Sequence, residues 1–361
     1  MNPLEEFPLI QVLNEEGQLV GDRSQISDDQ LTEFLRWFTV LRTLDQRAWN
    51  LQRQGRIGTY PPFSGQEATQ VGVAAALSPE DWLCGSYRDW AALIYRGVPL
   101  FYPLLSSMGH PAAGYLPDAV QALPVQVVIA AQILHAVGLA WAAKLQGQAR
   151  VAVSLFGDGA TSQGDFHEAL NLASVMSAPT VFVCQNNRWA ISVPIERQMH
   201  SQTVAQRAVA YNIEGLRVDG NDILAVYQTM KRVVERVRAG QGPVLVEAVT
   251  YRLGAHTTAD DPTRYRPRDL DERLRQGEPL ARLRRYLLAH GIVSDEEVAQ
   301  MEEEAKALVD EAVRQAEAFP PSPPESVFDH VYGELTPQLR EQRAEMARRV
   351  SSGEPGGGRR G

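Results

Sequence analysis

Hydrophobic positions recur at helical spacing early in the chain and in strand-like runs later. Leu31, Phe34, Leu35, Phe38 and Leu41 fall three or four residues apart, the spacing of one helix face. Ser27-Asp28-Asp29-Gln30 precedes them and has the S-x-x-Q form of a capping box. A long amphipathic helix is therefore expected from there to about Gln54, ended by Gly55-Arg56-Ile57-Gly58. A second helix is expected from Gly65 to Leu77, and residues 106–124, with Gly109, Pro111, Gly114, Pro117 and Pro124, read as a loop. From residue 149 the chain alternates. Val151–Phe156, Pro179–Gln185, Gly215–Val218 and Pro243–Tyr251 are apolar or β-branched runs, with helical stretches at 163–176, 202–211 and 222–239 between them. Strand and helix in alternation predict an α/β fold with a mostly parallel sheet flanked by helices. Residues 252–270 form a charged loop, and 279–317 read as helix.

The predicted organisation has an N-terminal arm at 1–26, an α/β domain with helical extensions at 27–318, a linker and packing segment at 319–350, and a disordered tail at 351–361 rich in Gly, Ser and Arg. Val125–Ala143 is an apolar run of 19 residues, broken only by Gln126, Gln132, His135 and Gly138. Its length approaches a membrane span, but two glutamines and a histidine would be costly in lipid. It is expected as a helix in the core or at a subunit interface, with His135 a satisfied core or interface histidine.

Composition narrows the function classes. The chain has 361 residues and a formal net charge of −9, which argues against nucleic acid or an anionic membrane as partner. Its two cysteines, Cys84 and Cys184, exclude a disulfide scaffold; Cys184 falls in a strand and reads as packing. The first residues, Met1-Asn2-Pro3-Leu4-Glu5-Glu6, lack the basic and apolar regions of a signal peptide, so a cytoplasmic enzyme is expected.

The strongest chemical signal is Gly157-Asp158-Gly159-Ala160-Thr161-Ser162-Gln163-Gly164, which follows a predicted strand and opens a helix. In a parallel sheet, ligands bind at the carboxyl ends of strands, and glycines allow close backbone approach. A dinucleotide fold fits poorly: the spacing is GxGxxxxG, Asp158 would face a pyrophosphate, and Gln185-Asn186-Asn187 stands where an acidic ribose ligand belongs. Asp158 and Asn187, at the ends of neighbouring strands, are instead hard oxygen donors suited to Mg²⁺.

GDG, 26 intervening residues and then NN resemble the thiamine diphosphate motif. The wider context, GDGATSQGDFHEALNLAS with QNNRWAIS, resembles the α subunit of the E1 component of 2-oxo acid dehydrogenase complexes. GRIGTYPPFSGQEA (55–68), GSYRDWAALIYRGVPL (85–100), YRLGAHTTADDPTRYR (251–266) and FDHVYGEL (328–335) agree with it, so that the resemblance covers residues 27–340. It implies that Asp158, the side chain of Asn187 and the carbonyl of Trp189 bind Mg²⁺. Gly159 and Ala160 would donate backbone N–H groups to the diphosphate, and Tyr87 and Arg88 would reach it. His256 would be the active-site histidine beside the diphosphate, Ile129 would meet the aminopyrimidine by its backbone, and Ile191 would prop the cofactor.

The implied reaction is oxidative decarboxylation of a small 2-oxo acid, with acyl transfer to a lipoyl-bearing E2. The glutamate that serves the cofactor's pyrimidine is implied on an E1 β subunit in an α2β2 assembly, so this chain is expected to be inactive alone. The 125–143 helix would lie at that subunit interface, and the 252–270 loop would order when cofactor binds. GDG and TSQGD, where many branched-chain members carry GEG and TSEGD, lean towards pyruvate. Pro61 stands where animal pyruvate enzymes have a His, which bacterial ones also lack. Branched-chain 2-oxo acid and acetoin dehydrogenase subunits share most of the motifs. A scaffold protein with a decayed cofactor fold is the non-enzyme alternative, opposed by the intact Asp158, Asn187, Tyr87, Arg88 and His256.

Overall fold

The computed structural model describes residues 3–267, 272 and 274–352. Seven strands form one parallel sheet: β1 (Leu9–Ile10), β2 (Trp82–Ser86), β3 (Ala122–Gln126), β4 (Ala152–Gly157), β5 (Thr180–Asn186), β8 (Glu214–Asp219) and β9 (Val244–Val249). Their order is β1-β8-β9-β5-β4-β2-β3, and every neighbouring pair is parallel. A two-stranded antiparallel hairpin, β6 (Trp189–Ala190) with β7 (Val193–Pro194), stands apart from it.

The central strands are apolar throughout because both faces are covered. Along β4, Val153 and Leu155 face one core, with Val71, Val181 and Val246. Ala152 and Phe156 face the other, with Ile133, Phe166 and Phe182. The period-2 alternation of a strand thus feeds two cores from one run. Cys84 and Cys184 are buried in the second core; burial alone pushes the Cys84 thiol up to about 12 and is the first cause that raises Cys184.

The helix Asp28–Arg53 starts where the capping motif predicts, with the Ser27 hydroxyl accepting from the Gln30 N–H at 3.2 Å. Several expectations need correction. The apolar run 125–143 is not one helix. Its first residues belong to β3, which pairs with β2, and the chain turns through Ala130 in the left-handed region (φ 74°) before the helix Ala131–Leu145 begins. His135 is exposed on this chain, so it is not a core histidine. The 106–124 loop contains a 3-10 turn, Pro111–Gly114, and the start of β3. Within the segment assigned to an arm, Leu9 and Ile10 pair with Arg217 and Val218, and the Asp222 carboxylate accepts from the Val12 and Leu13 N–H groups at 2.7 Å each. The 279–317 stretch is two helices, Pro279–Ala289 and Asp295–Glu317, separated at Gly291, whose φ is +65°.

The chain divides into two compact units, 1–316 and 317–361. In the second, a helix spans Pro337–Ser352, and Arg343 pairs with Asp329 at 3.0 Å. Ser351 and Ser352 therefore end a helix rather than start a disordered tail; residues 353–361 lie outside the described residues. Among the described residues, no helix is long and apolar enough to cross a membrane.

Candidate active site

Five strands deliver their following residues to one edge of the sheet. β4 leads to Asp158, β5 to Asn187, β2 to Tyr87 and Arg88, β3 to Ile129, and β9 to Arg252 and His256. These ends surround a cleft of about 600 Å³ whose wall includes Gly159, Ala160, Trp189 and Ile191. All ten residues singled out in the sequence line this cleft.

Asp158 is 1% exposed. Its Oδ2 accepts from Gln198 Nε2 at 3.1 Å, while Oδ1 is buried with no partner among the described residues. Burial, the leading cause, pushes its pKa up to about 6. A buried carboxylate with one free oxygen is poised for a cation or a proton. Asn187 is also buried, and its Oδ1 accepts the Trp189 N–H at 3.1 Å, keeping a second lone pair. No group of three His, Cys, Asp or Glu side chains clusters for a metal among the described residues. A metal here would take one carboxylate, an amide and a carbonyl, with waters and phosphate oxygens completing the shell, a set that suits Mg²⁺.

The hairpin β6–β7 lies over the GDG turn. A Cβ on Gly159 would stand 2.8 Å from the Ala190 Cβ, so only glycine lets the two backbones approach this closely. The hairpin turns through residues that L side chains rarely accept: Arg188 has φ 69° and Ile191 has φ 55°. For a β-branched residue that conformation is strained. It holds the Ile191 side chain 55% exposed at the cleft instead of buried.

His256 sits between two guanidinium groups. Its Nδ1 lies 3.2 Å from Arg88 Nη2 and 3.3 Å from Arg252 Nη1, and its carbonyl accepts from Arg88 at 2.8 Å. Its backbone N–H donates to Asp260 at 2.8 Å, and the Tyr265 hydroxyl donates to the same carboxylate oxygen. Burial first, then Arg88 and Arg252, lowers its pKa to about 3. The imidazole is neutral, and because Nδ1 accepts, its proton resides on Nε2. Arg88 is anchored by Pro62, whose carbonyl it reaches at 2.5 Å. Beneath the site, Gln185 donates to Asp89 at 2.6 Å and accepts from Gln70 at 3.1 Å, so the buried polar groups satisfy one another.

A profile for the dehydrogenase E1 component matches residues 36–325. The chain belongs to the dehydrogenase E1 component family. It is 43% identical over 340 residues to the pyruvate dehydrogenase E1 component subunit alpha of Bacillus cereus, covering 93% of this chain and 92% of that one. It is also 43% identical to the protein of that name from Bacillus subtilis strain 168, with 92% and 90% covered. For Staphylococcus epidermidis RP62A the identity is 41%, with 93% and 92% covered.

In this E1 component chain several site residues had no role in the sequence reading, although some lie inside the segments that carry the resemblance. Arg252 is 1% exposed and donates to the Ile191 carbonyl at 3.2 Å. Arg266 is also buried and donates to the Arg252 carbonyl at 2.9 Å. A charged loop reads in sequence as solvated, yet residues 252–267 are folded onto the site. Only the repeated arginines flanking His256 could have signalled it. Gln132 and Gln198 were missed too, since a single glutamine carries no spacing signal; Gln66 lies inside the GQEA segment but was given no role.

Proposed function

We propose that this chain is the α subunit of an α2β2 E1 enzyme that oxidatively decarboxylates pyruvate and passes the acetyl group to a lipoyl-bearing E2, using thiamine diphosphate and Mg²⁺. The observation that carries the proposal is the convergence of Asp158, Asn187, Tyr87, Arg88 and His256 on one cleft at the carboxyl ends of the strands. The names of the Bacillus and Staphylococcus relatives support pyruvate as the substrate.

The residues fit the cofactor. Asp158 Oδ1, Asn187 and the Trp189 carbonyl would hold Mg²⁺, and Gly159 and Ala160 would face the diphosphate. Tyr87, Arg88 and His256 would close round the phosphates, with Arg88 offering its fork of donors. Ile129 and Ile191 would support the rings. Thiamine diphosphate supplies the electron sink for loss of CO₂. The chain's own residues bind and orient it, and neutral His256 offers an Nε2 proton as donor. Among the described residues, the only carboxylates on the cleft wall are Asp89 and Asp158, and Asp89 is committed to Ser86 and Gln185. In this reading the glutamate for the pyrimidine comes from the β subunit, as the resemblance implies. Val127 and Val128, 73% and 68% exposed at the rim, are the surface that this partner covers. The reading carries a cytoplasmic location.

The test is co-expression with candidate β chains and assay against pyruvate, 3-methyl-2-oxobutanoate and acetoin with thiamine diphosphate and Mg²⁺. Pyruvate is expected to be preferred, and the chain alone to be inactive. Preference for another substrate corrects the assignment; no turnover and no cofactor binding with any partner would refute it.

A further inference from the structure

Gln198 follows the hairpin and lies outside every motif in the sequence. Its Nε2 donates to Asp158 Oδ2 at 3.1 Å and to the Val193 carbonyl at 3.3 Å. Two acceptors on one side fix the orientation of the amide: nitrogen there, oxygen opposite. Oε1 is buried and has no hydrogen-bond partner among the described residues. It lies beside the GDG turn, 3.8 Å from where a Gly159 Cβ would stand. One side chain thus ties the buried carboxylate to the hairpin that carries the Trp189 carbonyl, and leaves an unsatisfied acceptor beside the GDG turn.

We infer that Gln198 is a positioning residue of the divalent-cation site. It holds Asp158 by Oδ2 so that Oδ1 remains open to the cation, and its Oε1 accepts a hydrogen from a water that the cation retains. Mg²⁺ dehydrates reluctantly and keeps such waters. Partners that orient a ligating carboxylate govern metal affinity although they never touch the ion. An orphaned buried amide oxygen is otherwise a cost with no compensation. The inference rests on the assignment of Asp158 as a Mg²⁺ ligand.

The test uses the αβ holoenzyme with Gln198→Met, which keeps the length of the side chain without its polar groups, and Gln198→Ser, which truncates it. Mg²⁺ is titrated by calorimetry at fixed thiamine diphosphate. The apparent Kd for Mg²⁺ is expected to rise about 10–100-fold. Assembly, melting temperature and substrate KM at saturating Mg²⁺ should stay at wild-type values, a split that a general loss of structure would not give. A rise below about threefold in a correctly assembled variant overturns the inference, on the scale that such contacts set. Asp158→Ala separates the two assignments. If it abolishes Mg²⁺-dependent cofactor binding while both Gln198 variants bind normally, only the role of Gln198 fails. If Asp158→Ala also binds normally, the metal site itself is wrong.

Discussion

His256 shows how much of this site is set by neighbours rather than by residue type. Alone, an imidazole titrates near 6.5; here burial and two guanidinium groups bring it to about 3. The folded value lies below the unfolded one, so the unfolded chain binds the extra proton. Stability from this group is therefore undiminished above about pH 6.5 and falls as the pH drops from there towards about 3. The melting temperature should fall more between about pH 7 and about pH 5 in the wild type than in His256→Gln. An NMR titration of the His256 ring should show no inflection in that window. An inflection near 6.5 would mean that the ring does not sit between Arg88 and Arg252 as described.

At the scale of elements, the hairpin and the GDG turn act as one unit. Gly159→Ala places a methyl 2.8 Å from the Ala190 Cβ, so the hairpin must shift or the turn must bend. Such overpacking costs about 1–3 kcal/mol, read as a lower denaturation midpoint together with weaker cofactor binding. Ile191→Gly tests the other half of the unit. Relief of the left-handed backbone roughly offsets the entropy glycine adds to the unfolded chain, so stability should stay within about 1 kcal/mol of wild type. Cofactor affinity should nevertheless fall, because the apolar side chain held at the cleft is gone. A variant with wild-type affinity would show that the strained conformation serves only the turn. The GDG turn and the strand that ends in NN were readable, as apolar runs closed by those motifs; two-residue strands such as β6 and β7 carry no period, and the hairpin they form was not. Nor was the closeness of hairpin to turn, because Ala190 and Gly159 are 31 residues apart and nothing in their types announces contact.

At the scale of the molecule, the parallel sheet brings distant segments together and leaves an apolar rim. Val128→Asp should leave the far-ultraviolet circular dichroism and melting temperature of the isolated chain unchanged, since the side chain is exposed. With a β partner, light scattering should then report loss of the α2β2 mass. Normal assembly would place the partner elsewhere. The apolar run that resembles a membrane segment in sequence divides between an edge strand and a helix, and the exposed link between them at 127–129 borders the cleft.

The sequence by itself determined the class of the fold and which residues gather at one cleft. Local hydrophobic period selects strand or helix, and GDG, NN, YR and the segment round His256 each carry a chemical requirement in residues close together along the chain. The tertiary structure decided what depends on distant segments meeting in space. It buried the His256 ring between Arg88 and Arg252, and so lowers the imidazole's pKa. It left one Asp158 oxygen open and placed Gln198 over the other. It also added Leu9–Ile10 to the sheet, because a two-residue strand has no period of its own and forms only where a neighbouring edge offers it hydrogen bonds.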